Sequence, residues 1–336
     1  MAETANTAEI AKKIAKDIFS VFFWELRKIE DTNFECVLEH HVTDTNKQKL
    51  SHPCDVLFTY HDPYLNKSVY LHTDLKSYAK NTLTRTDITK SIKSLGLTLE
   101  CAHVSGEWRK YLKEVGEQYD IRGLLFVANH DGKAPLDFNE RLSKMSKKDL
   151  LVAKSQVVHI LGPKQISDLF SIATDIKLLI SDGSLSPHYR FFYPDLTLWK
   201  RGQADDVRTA ATIETLLSPY FVIRHNEIVE NGNKILWAGS LIYYSRKGET
   251  VDEFVYLLDS LSRYQLVKAD EKIRIRMFNT ERDSNFKSNF DKAKNKYCRI
   301  WSFESTRTQE IADITIDALN QFVPNYSPAE IGWKES

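Results

Sequence analysis

A strand–turn–strand pattern at residues 54–78 constrains the fold more than any other feature of the sequence. Residues 54–60, CDVLFTY, and residues 68–78, SVYLHTDLKSY, are rich in β-branched and aromatic side chains. The turn-rich stretch HDPYLN lies between them, which indicates two strands joined as a hairpin. In such a hairpin, positions near 55 lie opposite positions near 72.

Charged side chains are expected to meet at one end of this hairpin. Side chains alternate between the two faces of a strand, so Asp74 and Lys76 project side by side. The predicted register brings Asp55 close to them from the neighbouring strand. The chain has four D-x-K triplets, but the other three fall in turns or within a helix, where the first and third residues do not share a face. Asp55, Asp74 and Lys76 are therefore the candidate catalytic residues.

These side chains suit the hydrolysis of a phosphodiester bond. Two aspartates offer the hard oxygen ligands that Mg²⁺, or Mn²⁺, prefers. A bound metal lowers the pKa of a water molecule, and a neighbouring lysine neutralises charge that develops in the transition state. The alternative is structural: Asp74 and Lys76 would form a solvated ion pair worth less than about 1 kcal/mol, and Asp55 would cap its strand.

Hydrophobic periodicity predicts the element order αβββαβ in the first half of the chain. The predicted elements are a helix over residues 7–30, a strand over 34–41, the two hairpin strands, a helix from about residue 86 and a strand over 123–129. A further strand and helix follow.

A stretch with two prolines, residues 181–195, is predicted to link two domains. We expect a first domain over residues 1–185 and a smaller α/β domain over residues 186–336. In the second domain, RIWSF (residues 299–303) is predicted to be a strand that precedes a last helix.

The element order and the acidic motif resemble those of the PD-(D/E)XK nuclease superfamily, which includes restriction endonucleases, Holliday-junction resolvases and phage-defence nucleases. Pro53-x-Asp55 opens the second predicted strand, and Asp74-x-Lys76 ends the third. The likeness covers roughly residues 7–180 and implies a restriction-endonuclease-like core. It also implies that Asp55 and Asp74 bind metal and that Lys76 is the catalytic lysine. Cys54, between Pro53 and Asp55, is a departure that the superfamily tolerates.

Many members of this superfamily have a glutamate on the first helix that completes the metal site. Three acidic residues of the predicted first helix compete for this role here: Glu9, Asp17 and Glu25. We favour Glu25 because it lies nearest the first predicted strand.

Two basic segments are candidates for nucleic-acid binding. The first follows the acidic motif and has Lys80, Arg85, Lys90 and Lys93, which would bind phosphates beside the site. The second is a ladder of Lys272, Arg274 and Arg276 on one face of the strand KIRIRMF, where like charges would repel one another without an anion nearby. In both places the alternative is a solvated surface that keeps the protein soluble.

Cysteine and histidine usage gives no clear metal signal. The four cysteines are scattered without a zinc-like spacing, so we expect reduced thiols in a cytoplasmic protein. His40, His41 and His52 are expected to be solvated or to lie outside any metal's ligand set. The sequence has no membrane-spanning segment and no nucleotide-binding motif.

The sequence therefore predicts a Mg²⁺-dependent endonuclease that acts on DNA in restriction or anti-phage defence. Its second domain would hold nucleic acid, a partner subunit or a second copy of the chain. The rival prediction is a catalytically inactive nuclease-like subunit that binds nucleic acid or scaffolds a complex, because a fold can persist after its chemistry is lost.

Overall fold

A computed structural model gives the fold of the chain. It describes residues 2–27, 33–43, 45–78, 84–114, 116–129, 138–145, 153, 155–194, 208–322 and 326. These residues divide into two compact units. The first contains residues 1–62, 66–170 and 323–336, and the second contains residues 63–65 and 171–322.

The first unit is built around a five-stranded mixed sheet. Its helices are α1 (Ala2–Asp17), α2 (Arg85–Val104), α3 (Phe138–Ser143) and the first part of α4 (Pro163–Ser181), with 3₁₀ turns at Phe19–Phe22 and Trp108–Tyr111. Its strands are β1 (Glu25–Arg27), β2 (Phe34–Glu35), β3 (Ser51–His52), β4 (Val56–Asp62), β5 (Lys67–Tyr78), β6 (Tyr119–Asn129) and β7 (Val158–Leu161). The sheet order is β1-β4-β5-β6-β7, and β2 pairs with β3 separately.

The predicted hairpin is the pair of strands β4 and β5. They are antiparallel, with Val56 opposite Thr73 at one end and Asp62 opposite Lys67 at the turn. β5 then runs parallel to β6, and β6 runs parallel to β7. The middle of β5, residues 69–73, is buried continuously, as expected for a strand that is covered on both faces.

Helix α2 covers the face of the sheet that has the acidic residues. Thr84 caps the helix by accepting a hydrogen bond from the backbone N–H of Asp87 at 3.2 Å. Its apolar stripe recurs every three or four residues and packs into the core of the first unit. That stripe consists of Ile88, Ile92, Leu95 and Leu99.

The second unit contains another five-stranded mixed sheet. Its strands are β8 (Tyr189–Phe191), β9 (Tyr220–His225), β10 (Ile228–Glu230), β11 (Asn233–Leu236), β12 (Gly239–Tyr244), β13 (Lys272–Met277) and β14 (Thr315–Ala318). Its helices after α4 are α5 (Ile213–Leu216), α6 (Val251–Arg263), α7 (Phe286–Trp301) and α8 (Ser305–Ala312). The sheet order is β8-β9-β12-β13-β14, and β10 pairs with β11.

The two sheets have the same connectivity. In each, the first three strands of the sheet are antiparallel neighbours, and the last two strands are added in parallel. In each, one helix precedes the first strand of the sheet, and another connects the third strand to the fourth: α1 and α2 in the first unit, α4 and α6 in the second. No sequence motif marks this internal repeat, because only the order of the elements recurs.

Several element boundaries differ from those predicted. The first helix ends at Asp17 instead of residue 30, because the aromatic residues after it turn inward. The rings of Phe19 and Trp24 stack with their centroids 4.4 Å apart. The strand predicted over residues 34–41 is only β2, two residues long. RIWSF is not a strand. It lies at the end of α7, which Ser302 terminates in a left-handed conformation with φ 48°.

The division between the units lies within α4, after residue 170, and not after residue 185. The stretch predicted to be a linker contains β8, which pairs with β9 in the second sheet. None of the described helices is both long and apolar enough to cross a lipid bilayer.

Candidate active site

The end of the β4–β5 hairpin brings two carboxylates together. Val56 pairs with Thr73, so Asp55 and Asp74 are the next residues outward on the two strands. Residues directly opposite on antiparallel strands have Cβ atoms about 4.5–5.5 Å apart. The backbone N–H of Leu75 donates a hydrogen bond to Asp55 Oδ2 at 3.0 Å, which fixes this side chain across the end of the ladder.

Lys76 completes the cluster from the same face of β5. Its Nζ lies 2.6 Å from Asp74 Oδ1. The side chain of Asp74 is 18% exposed and that of Lys76 is 37% exposed, so the ion pair is at the rim of the site and not in open solvent. A charge-assisted contact of this length orients both groups.

Burial raises the pKa of Asp74 to about 6. Lys76 opposes this shift, and the nearby Asp55 carboxylate adds to it. Two ionised carboxylates this close repel each other, and the repulsion is stronger because one of them is partly desolvated. A cation between them offsets this unfavourable energy. The electrostatics of the pair therefore favour a bound metal ion.

A small cleft opens beside the two carboxylates. It lies between α2 and the end of the hairpin, and its volume of about 10 Å³ is sufficient for one water molecule or ion. The residues that line it are Pro53, Asp55, His72, Thr73, Asp74, Ser94, Leu95 and Thr98. Two aspartates facing such a cleft are a donor set that suits a hard divalent cation.

His72 supports the site from the buried part of β5. The indole N–H of Trp108 donates to His72 Nδ1 at 3.4 Å, so the other ring nitrogen has the proton and donates to the carbonyl of Pro53 at 3.0 Å. Burial lowers the pKa of His72 to about 4, which keeps the ring neutral. No sequence motif points to a role for His72. Its contacts fix the segment that leads to Asp55.

Comparison with known protein families agrees with this geometry. Residues 1–165, just under half of the chain, match a family described as the GAPS4 protein PD-(D/E)XK nuclease domain. Residues 1–165 belong to the PD-(D/E)XK nuclease superfamily. The predicted family and the predicted restriction-endonuclease-like core are thus confirmed. No curated protein and no solved structure matches the chain significantly.

The acidic residues that were expected to provide a metal ligand from the first helix of the PD-(D/E)XK domain lie elsewhere or have other partners. Glu25 lies on β1 instead of the first helix and pairs with Thr59, about 13 Å along β4 from Asp55. Its carboxylate binds Lys113 Nζ at 2.6 Å. Asp17 is engaged by Lys13 at 3.0 Å and accepts a hydrogen bond from Tyr326. Glu9, on α1, is exposed.

The basic segment of the PD-(D/E)XK domain is partly on α2. Arg85 and Lys90 are exposed and Lys93 is half-buried. Lys90 shares a helix face with Ser94, one turn away, and Ser94 lines the cleft. Lys80 lies outside the described residues.

The ladder in the second unit has internal partners. Arg276 forms a two-pronged ion pair with Asp175, whose side chain is 4% exposed, and Tyr243 donates to the same carboxylate at 2.8 Å. Arg274 donates to the carbonyl of Ser184 at 2.5 Å, and Lys272 Nζ lies 3.1 Å from Asp313. Repulsion between these like charges predicts an anion close to the ladder. Asp175 and Asp313 supply negative charge beside Arg276 and Lys272 from within the chain, so the repulsion does not require an outside anion. Binding of nucleic acid or of a partner subunit by this ladder stays a prediction.

The histidines near the site are not solvated as expected. His41 and His52 are both fully buried, while His40 remains exposed. The two buried rings lie beside Cys36 and Cys101. No sequence motif marks this group, because its members are spread over 66 residues from Cys36 to Cys101.

Proposed function

We propose that this chain is a divalent-metal-dependent nuclease that hydrolyses phosphodiester bonds in DNA. The observation that supports this proposal most strongly is the register of β4 and β5, which sets Asp55 and Asp74 opposite each other with Lys76 Nζ 2.6 Å from Asp74. The match to a nuclease family points to the same chemistry. A role in defence against phage is proposed from the association of that family with phage defence.

Each residue of the site has a separate task in this proposal. Asp55 and Asp74 would hold Mg²⁺ or Mn²⁺, and the backbone N–H of Leu75 keeps Asp55 in position. When bound, the metal acidifies a water molecule and neutralises phosphoryl oxygens. Lys76 supplies a positive charge for the phosphate group in the transition state. His72 holds Pro53, and with it the backbone that leads to Asp55.

Phosphate contacts near the cleft are proposed for α2. Lys90 is exposed one helical turn from cleft-lining Ser94, and Arg85 lies at the N-terminal end of the same helix. Together with Lys80 and Lys93, these side chains would bind the backbone of DNA on either side of the bond that is cut.

For the second unit we propose a binding role without catalysis, with DNA, a partner subunit or a second copy of the chain as the ligand. Its β9–β12 pair corresponds to β4–β5, and Tyr220 opposite Tyr244 corresponds to Val56 opposite Thr73. The next positions are Pro219 and Ser245, where the first unit has Asp55 and Asp74. The second unit therefore has no acidic pair at the corresponding place.

The metal role is tested with Asp55→Asn. The amide oxygen of asparagine still accepts from the Leu75 N–H, but the negative charge is lost. We expect the Mg²⁺ concentration for half-maximal DNA cleavage to rise by about tenfold or more, with Ca²⁺ supporting binding but not cleavage. The exposed Asp291→Asn serves as the control. An unchanged Mg²⁺ requirement for Asp55→Asn would remove Asp55 from the ligand set, and cleavage of RNA but not DNA would change the substrate class.

A further inference from the structure

Four potential metal ligands meet behind the active site. Cys36 directly follows β2, His41 lies in the next turn, His52 ends β3, and Cys101 is on α2. One ligand atom from each lies within 4.8 Å of all the others. His41, His52 and Cys101 are buried, and Cys36 is half-buried, so the group is closed to solvent on most sides.

The distances from His41 Nδ1 to its two nearest partners in this group match those of a tetrahedral zinc site. In such a site, with Zn–N of about 2.05 Å and Zn–S of about 2.3 Å, neighbouring ligand atoms are about 3.3 Å apart for two nitrogens and about 3.6 Å for nitrogen and sulfur. His41 Nδ1 lies 3.2 Å from His52 Nε2 and 3.5 Å from Cys36 Sγ. We propose that Cys36, His41, His52 and Cys101 bind a structural zinc ion.

The hydrogen bonds of the two rings favour a cation between them. His41 Nε2 faces the Glu100 carboxylate at 3.2 Å, so that nitrogen has the proton. Thr98 donates its hydroxyl proton to the carbonyl of Ser94 at 3.0 Å and can only accept from His52 Nδ1, which lies 3.2 Å away. Both inward nitrogens of the neutral rings therefore present lone pairs to each other at 3.2 Å. A metal ion between them turns this repulsion into coordination.

The groups around the cluster are those that support metal ligands in proteins. Each ligating histidine has its second nitrogen held by a side chain of α2, Glu100 for His41 and Thr98 for His52. The backbone N–H of Val37 donates to Cys101 Sγ at 3.2 Å. Such outer contacts orient the ligands and stabilise a thiolate.

A zinc ion here would fasten the β2–β3 hairpin to α2. His52 directly precedes Pro53, and Thr98 lines the cleft together with Asp55. The four ligands come from the protein itself, which is typical of structural and not catalytic zinc. The ion would thus hold in place the segment that positions Asp55, without taking part in hydrolysis.

The zinc content of the purified full-length chain tests this proposal. We expect about one zinc per chain in the wild type and a loss of at least about tenfold in Cys36→Ser and His52→Gln. Replacement by Co²⁺ should give the visible bands of a tetrahedral site with thiolate-to-cobalt charge transfer. Matched controls are Cys298→Ser, a thiol of the second unit, and Asp74→Ala, which removes the proposed Mg²⁺ ligand. Both controls should keep the zinc.

A second group, His40, His41 and Glu100, offers a more exposed set of ligands. His40→Ala distinguishes the two sets, because it should keep the zinc. If Cys36→Ser does not fold, His41→Cys remains informative: it should still bind Co²⁺, with stronger thiolate-to-cobalt charge transfer. A wild-type chain that holds no zinc and gives no cobalt–thiolate bands would overturn the proposal. So would a disulfide between Cys36 and Cys101, or loss of the metal in His40→Ala but not in Cys36→Ser.

Discussion

Burial changes the protonation behaviour of His72, which lies next to the active site. His72 is 2% exposed, and its neutral ring connects Trp108 to Pro53. Its pKa is lowered to about 4, whereas the unfolded chain titrates near 6.5. Between these two values the unfolded state binds more protons than the folded state, so stability falls as the pH falls.

This difference predicts how acid affects the protein. From about pH 7 to pH 4 the wild type should lose about 3 kcal/mol more of its free energy of unfolding than His72→Gln does. Glutamine can still donate to the carbonyl of Pro53, but it does not titrate. Urea unfolding of both proteins at several pH values measures the two slopes. Equal slopes would show that His72 titrates normally.

The buried ion pair between Arg276 and Asp175 gives a second prediction about single side chains. The aspartate is 4% exposed, so removing its partner leaves a buried charge that keeps the hydrogen bond from Tyr243 but loses its ion pair. We expect Arg276→Gln to lower the free energy of unfolding by about 3 kcal/mol. The control Arg263→Gln breaks an exposed helical ion pair with Asp259 and should change stability little.

The same variant also tests the role first predicted for the ladder. The salt dependence of DNA affinity should be the same for Arg276→Gln as for the wild type, because Arg276 already has an anionic partner. A flatter dependence on salt, measured by fluorescence anisotropy, would return Arg276 to the DNA-binding surface.

At the scale of elements, hydrophobic periodicity is sufficient to predict a helix or strand that has one clear apolar pattern. The hairpin, α2 and the buried strand β6 all follow from local sequence, and so does the meeting of Asp55, Asp74 and Lys76. The register differs by two residues from the predicted one, since Leu57 and not Asp55 lies opposite His72. Periodicity failed where tertiary contacts decide. RIWSF is apolar enough for a strand, yet Phe286, Phe290, Ala293 and Tyr297 continue one buried helical stripe into it.

The cysteine and histidine cluster could not be predicted for a related reason. Its ligands come from two short strands, a turn and a helix, so no fixed spacing connects them. Its formation depends on how the β2–β3 hairpin packs against α2.

Helix α2 also gives an element-scale prediction for DNA binding. Lys90→Gln should weaken DNA affinity across all sequences and reduce the slope of log affinity against log salt by about 0.7–0.9. The exposed Lys164→Gln on α4, which pairs with Asp168, is the control. Anisotropy titrations at several salt concentrations in Ca²⁺ measure both slopes. If Lys90→Gln gave the wild-type slope, the phosphate path would not follow this face of α2.

At the scale of the whole molecule, one arrangement of strands and helices occurs twice, and only one copy has the acidic pair. In the second unit, the backbone N–H and the hydroxyl of Ser245 both donate to the carbonyl of Pro219 at 2.9 Å. Lys247 occupies the place of Lys76, but its Nζ lies 3.3 Å from Glu281. Catalysis is therefore expected from the first unit alone.

The most direct test of this account is plasmid nicking by the full-length chain in Mg²⁺. Asp74→Ala is compared with the wild type and with Ser245→Ala, the corresponding position of the second unit. Both residues are half-buried at the end of a strand, so truncation leaves no cavity in a core and both variants should fold. We predict that the wild type and Ser245→Ala nick the plasmid and that EDTA abolishes this activity. Asp74→Ala should give no nicking above background. Nicking by Asp74→Ala at the wild-type rate would contradict the assignment of the active site.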